Sequence, residues 1–230
     1  MKTKRLIVVV AVLLCGIAVE VQAQARLRQP EMYIGASGGV NATMAMFTPE
    51  VPGTTNVMNT ALLGARAGLM FRYSGHRCCA IQLELNYNRR GWRENTDNHS
   101  YTRNLDYLEL PLLTHIYFGK PFFRGFVNIG PQVAICVHEN ESGTCQTDMV
   151  YQYLPLDNKA DWGVAGGIGF YGRSEKAGCF QFEVRYVYNL SNMFTSSPGS
   201  HFERSNTMLL SLNLAYLFQI PNKQKTKSKK

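Results

Sequence analysis

Polar and apolar residues alternate with a period of two along most of this chain. That period sends successive side chains to opposite faces of an extended strand. The segment "IQLELNYN" sets Ile81, Leu83, Leu85 and Tyr87 against Gln82, Glu84, Asn86 and Asn88. "FQFEVRYVY" sets Phe180, Phe182, Val184, Tyr186 and Tyr188 against Gln181, Glu183 and Arg185, and "LSLNLAYLF" repeats the pattern near the end. Residues 61–73 oppose Leu63, Ala65, Ala67, Leu69, Phe71 and Tyr73 to Gly64, Arg66, Gly68, Met70 and Arg72. The pattern predicts about eight strands, near 32–46, 60–74, 79–92, 104–118, 122–138, 161–172, 178–190 and 207–219, with no helical stripe after the first 23 residues.

The connections alternate in length. Those at 75–78, 119–121 and 173–177 are tight, whereas those at 47–59, 93–103, 139–160 and 191–206 are long and polar. Aromatic residues gather at both strand ends: Tyr33, Tyr117, Phe170 and Tyr171 are among those beside the short turns, and Tyr87, Trp92, Tyr107 and Trp162 among those beside the long loops. Short turns on one side, long loops on the other and two aromatic belts predict an all-β fold, an antiparallel transmembrane β-barrel of about eight strands. The turns then lie in the periplasm and the long loops outside the cell. A secreted barrel around a ligand would instead turn its apolar face inward.

With the apolar face toward lipid, the polar face fills the barrel. It carries Arg66, Arg72 and Arg185 against Glu84, Glu109 and Glu183, with His115 among them. Three cations and three carboxylates nearly cancel, and eight strands enclose only enough room for side chains. Gly35, Ser37 and Gly39, with Gly163, Ala165, Gly167 and Gly169, leave space for the long arginines. The expectation is a structural ion-pair network rather than a conducting pore.

The run "LDYLELPLLTHIYF" (105–118) is then one stave of the wall. Its Glu109 and His115 share a face but stand six residues, about 20 Å, apart, so they form no catalytic or metal pair. No Gly-x-Ser-x-Gly or phosphate-binding glycine loop occurs, and no cysteine spacing fits zinc. The reading is no enzyme, no cofactor and no metal, with a lipid-modifying enzyme using Ser211 or His201 at a rim as the remote alternative. Pro111 and Pro131 fall almost opposite one another about the turn at 119–121, and neither donates to a ladder. They predict a bulge or a loosened seam.

The ends refine this picture. A basic start (Lys2, Lys4, Arg5), an apolar stretch over 6–19 and Val21-Gln22-Ala23 read as a signal peptide spanning 1–23. About 14 apolar residues are short for a helical span, which takes roughly 20. The barrel domain occupies 24–220 and a basic periplasmic tail 221–230, whose last nine residues hold five lysines. The formal charge of +8 therefore sits largely at the termini, not on a folded basic face for nucleic acid. The implied partner is outer-membrane lipid. Cys145 with nearby Cys136 is the candidate local disulfide.

"YIGASGGVN" in the first strand, "IQLELNYNRRGW" in the third, "LDYLELPLL" in the fourth and "VNIGPQVAI" in the fifth together resemble the PorT-like family of bacterial outer-membrane β-barrels. The resemblance implies a small barrel in the outer membrane. It also implies an accessory role in type IX secretion, with envelope or secretion-system proteins as partners. The alternative is a surface barrel whose long loops bind or adhere to an external ligand.

Overall fold

The computed structural model describes residues 30–49, 59–76, 78–96, 99–120, 122–143, 158–174, 178–191 and 202–221. The leader, the lysine tail from 222 onward, Cys145 and His201 lie outside them. Eight strands follow in order: β1 (Glu31–Pro49), β2 (Asn59–Ser74), β3 (Cys79–Thr96), β4 (His99–Lys120), β5 (Phe123–Gly143), β6 (Ala160–Ser174), β7 (Gly178–Asn189) and β8 (Phe202–Ile220). Each pairs antiparallel with its neighbours in sequence, and β1 pairs with β8 from Met32↔Ile220 upward, which closes the barrel.

The alternation sorts the wall cleanly. Ile81, Leu83, Leu85, Leu108, Leu110, Leu112, Phe170 and Leu214 point out and are exposed, while Gln82, Glu84, Asn86, Glu109 and His115 point in and are buried. So continuous an apolar exterior is stable against hydrocarbon, not against water. The outer belt keeps Phe123 against Phe170 (centroids 5.6 Å apart), Phe170 against Phe182 (5.4 Å) and Phe180 against Tyr216 (4.7 Å). Five aromatics expected in the belts face inward instead: Tyr33, Trp92, Tyr107, Tyr117 and Tyr171 are all buried. Their strand parity puts them there, Tyr107 and Tyr117 being in phase with Glu109 and His115.

The short turns fall at one end of the barrel, as the spacing predicts. The 93–103 segment is not a loop, however. β3 runs to Thr96 and β4 starts at His99, with register held through Arg93↔Thr102 to Thr96↔His99. β3, β4 and β5 are 18, 22 and 21 residues long, against 15 and 12 for β6 and β7. A membrane crossing takes about 9–11 residues, so these three strands, like β1 and β8 at 19 residues each, rise well beyond the bilayer.

Pro111 and Pro131 sit where the ladder is interrupted. Between β4 and β5 pairing passes from Pro111↔Gln132 directly to Thr114↔Ile129, skipping Leu112 and Leu113 opposite Pro131 and Gly130. Between β3 and β4 it passes from Leu83↔Leu112 to Asn86↔Glu109, skipping Glu84 and Leu85 opposite Pro111 and Leu110. The register is unchanged across both gaps, so neither is a bulge. The prolines are offset by one pair, and the two ladders flanking β4 loosen at nearly one height.

Candidate functional site: the filled lumen

The inward residues stack in layers. Next to the periplasmic turns, Tyr33, Met70, Ala80, Tyr117, Phe126, Tyr171, Cys179, Ala215 and Leu217 form a buried cluster. His115 enters this layer with its ring 4.6 Å from Phe126 and 5.6 Å from Tyr117, and its Nδ1 bonds Asn128 Oδ1 at 2.7 Å. Two arginines lie over its rings: Arg72 above Tyr171 at 5.7 Å and Arg124 above Tyr117 at 4.8 Å. Such contacts stabilise a desolvated guanidinium by up to about 2 kcal/mol.

Above it lies the charged layer. Arg185 (β7) donates from Nη1 and Nη2 to both oxygens of Glu84 (β3), each at 2.7 Å, and from Nε and Nη2 to Glu183, each at 2.8 Å. Glu84 also accepts from Arg66 Nη2 at 3.0 Å, Gln82 Nε2 at 2.5 Å and Asn86 Nδ2 at 3.0 Å. Arg72 pairs with amide oxygens instead of a carboxylate: Gln82 Oε1, 2.8 Å from its Nε, and Gln181 Oε1. Gln181 in turn donates to Glu183 at 3.3 Å. The missing side chain of Gly167 is what admits Glu183, since a Cβ there would collide with its Oε1. Glu109 accepts from Arg90 and, at 2.7 Å, from Asn88 Nδ2, with Arg66 at 4.0 Å.

Alongside the charged layer, Leu113, Ala165, Val187 and Leu209 make a second buried apolar cluster. Arg90 bridges Glu109 to Asp161, 3.1 Å from its Nη1, and lies 4.6 Å over the Tyr107 ring. At the mouth Arg103 packs over Trp92 at 5.6 Å and donates from Nε to Glu139 at 2.6 Å.

All seven network residues read from the sequence thus project into the lumen, but they form only part of what fills it. Arg90 continues the Gln82–Asn88 parity and was visible in principle. Arg103 lies in the 93–103 segment, whose polar run predicts a loop but which pairs as β3 and β4. Glu139 and Glu141 escape the pattern because the register shifts at Asp106/Tyr107, where Cys136 and His138 are paired and Val137 is skipped. A bulge of this kind reverses the in–out phase, and it turns both carboxylates toward Arg103, Glu141 at 3.3 Å.

The candidate disulfide's partner Cys145 falls outside the described residues. Cys136 is a buried thiol that donates to its neighbour His138's carbonyl at 3.5 Å. Ser211 is buried in mid-lumen, bonded to the Arg185 carbonyl at 3.4 Å and to Asn213 at 3.1 Å, so it occupies no rim. Glu84, Glu109 and Glu183 each face an arginine, and His115 bonds a side-chain amide, that of Asn128. Among the described residues no group of three or more His, Cys, Asp and Glu gathers to hold a metal ion.

A profile of known families matches residues 22–195, about three quarters of the chain, to the outer membrane protein beta-barrel domain. The chain belongs to that family. No curated protein matches it. Among solved structures it is similar to the outer membrane protein OprG of Pseudomonas aeruginosa, at 15% identity over 82% of this chain and 96% of that one, with a TM-score of 0.52. It is also similar to the E. coli outer membrane protein W (17% identity, 82% and 97% covered, TM-score 0.45) and to Neisserial surface protein A (9%, 83% and 100%, 0.43). At these identities the likeness concerns the fold: a small eight-stranded barrel of the bacterial outer membrane.

Proposed function

We propose that this barrel is a non-enzymatic, non-conducting structural or accessory protein of the outer membrane, serving an envelope assembly of the type IX secretion kind. The observation that carries the reading is the lumen itself. An aromatic layer, a bidentate Arg–Glu network and a second apolar cluster together fill it. A barrel packed in this way offers its outer wall and its two ends, not its interior. The resemblance in the first, third, fourth and fifth strands supports the secretion role.

Two measurements test it. The purified barrel in planar bilayers gives no stable ion-selective conductance, and affinity purification from native membranes recovers envelope or secretion components. Steady conductance, or purification of the barrel alone, refutes the corresponding half. A surface-binding role draws support from one feature, the β3–β5 extension that holds Trp92, Arg103 and Glu139 above the bilayer. A deletion strain that secretes normally but adheres differently favours that reading.

A further inference from the structure

On the lipid-facing side, the apolar columns of three neighbouring strands stop at one height. Those of β3, β4 and β5 end at Tyr87, Leu108 and Val137, all exposed. The next outward positions are Arg89, Asp106 and His138, which pair as a single row, Arg89↔Asp106 and Asp106↔His138. Tyr87 stands about nine residues from the periplasmic start of β3, the length of one crossing, so this row lies at the outer edge of the hydrocarbon. Above it the outer face continues with Gly91↔Asn104↔Asn140 and Arg93↔Thr102↔Ser142.

The register shift at Asp106/Tyr107 decides what this face carries. It skips Val137 and turns Glu139 and Glu141 inward to Arg103, leaving His138, Asn140 and Ser142 on the outside. Asp106 is then the only acid among the described residues of the face. Arg89 covers it, donating from Nε to Oδ1 at 2.8 Å and from Nη2 to Oδ2 at 3.4 Å, and its side chain is still 54% exposed. Arg93 is exposed too, and donates from Nε to Thr102 Oγ1 at 3.2 Å. The two arginines stand about 13 Å apart along β3.

We propose that the outer face of the β3–β5 extension is a docking platform for the phosphorylated sugar headgroup of an outer-leaflet glycolipid. A guanidinium binds phosphate through parallel N–H donors, and two arginines at this spacing reach phosphates at the two ends of a disaccharide. Thr102, Asn104, Asn140 and Ser142 offer hydroxyls and amides to the sugar. The acyl chains of the same molecule run down Leu85, Leu108 and Val133 beneath. The platform is continuous with the lipid-facing band, so a headgroup already sits at its height. The face is charged to match it, one arginine being left over once Arg89 has paired with Asp106.

The test uses the mature full-length barrel refolded in neutral detergent, with bound lipid counted by native mass spectrometry. One bisphosphorylated lipid A binds per chain, and dephosphorylated lipid A binds at least about tenfold more weakly, as the loss of a charge-assisted contact requires. Arg89→Gln/Arg93→Gln lowers the affinity for lipid A by a similar factor, and so does Asn140→Asp/Ser142→Asp, which returns carboxylates to the face. Heat-dependent gel mobility reports that each variant is still a folded barrel. Glutamine in place of the five tail lysines leaves the affinity unchanged. Equal binding of dephosphorylated lipid A, or undiminished binding by the arginine variant, overturns the platform. So does loss of binding with the tail substitutions, or equal competition by phosphatidylglycerol, which carries a phosphate but no sugar.

Discussion

Glu84 accepts hydrogen bonds from two arginines and two side-chain amides, all within a layer sealed from solvent. Removing one partner of such a cluster leaves the others buried and uncompensated, which costs about 3–5 kcal/mol. Glu84→Ala is therefore expected to lose about that much in urea unfolding from lipid vesicles. The contrast is Arg173, half-buried at the periplasmic rim and 3.2 Å from Glu31. Exposed pairs of that kind contribute under about 1 kcal/mol, so Arg173→Ala shifts the same transition little. Equal losses in the two variants would mean that the lumen network is wet and screened. The sequence reveals that Glu84 faces inward, because period two is unbroken from Ile81 to Arg90. It does not reveal Arg185 as the partner, since that depends on where β3 and β7 meet across the lumen.

At the scale of elements, the wall is uneven. β6 and β7 pair without a break from Gly163↔Asn189 to Ser174↔Gly178, whereas both ladders of β4 loosen around Pro111 and Pro131. Backbone amides at Glu84, Leu85, Leu110, Leu112, Leu113 and Gly130 are expected to exchange faster than those of Val164–Ile168 at similar depth. Hydrogen exchange followed by NMR in micelles measures this, and Pro111→Val with Pro131→Val, which restores two donors, should slow the set. Uniform slow exchange across β4 and β5 would show the gaps to be closed in solution. The prolines were legible in the sequence because their positions follow from counting back from one turn. The upward reach of β3 and β4 was not. Above the bilayer no lipid imposes alternation on "ENTDNHSYTRN", while backbone hydrogen bonding continues regardless of side-chain polarity.

For the molecule as a whole, the lipid-facing band and the unequal connections fix which end faces the cell. Cys78 lies at the short-turn end and the tall strands at the other. In a Cys145→Ser background, a membrane-impermeant maleimide is expected to leave Cys78 unlabelled on intact cells and to label it once the outer membrane is permeabilised. Labelling of intact cells would invert the orientation.

The ion pair between Arg185 and Glu84 joins residues 101 positions apart in the chain. No early hairpin can supply it, because β3 is complete long before β7 exists. A chain with only its first strands inserted leaves Glu84 with Arg66 of the neighbouring β2 but without its bidentate partner Arg185, an incomplete buried pair. Contacts so distant in sequence also form late and slowly. Closing the cylinder therefore completes the network that the neighbouring-strand pairs Arg66–Glu84 and Arg90–Glu109 begin. The lumen network acts as a completeness check, penalising every partial barrel and rewarding only the finished one.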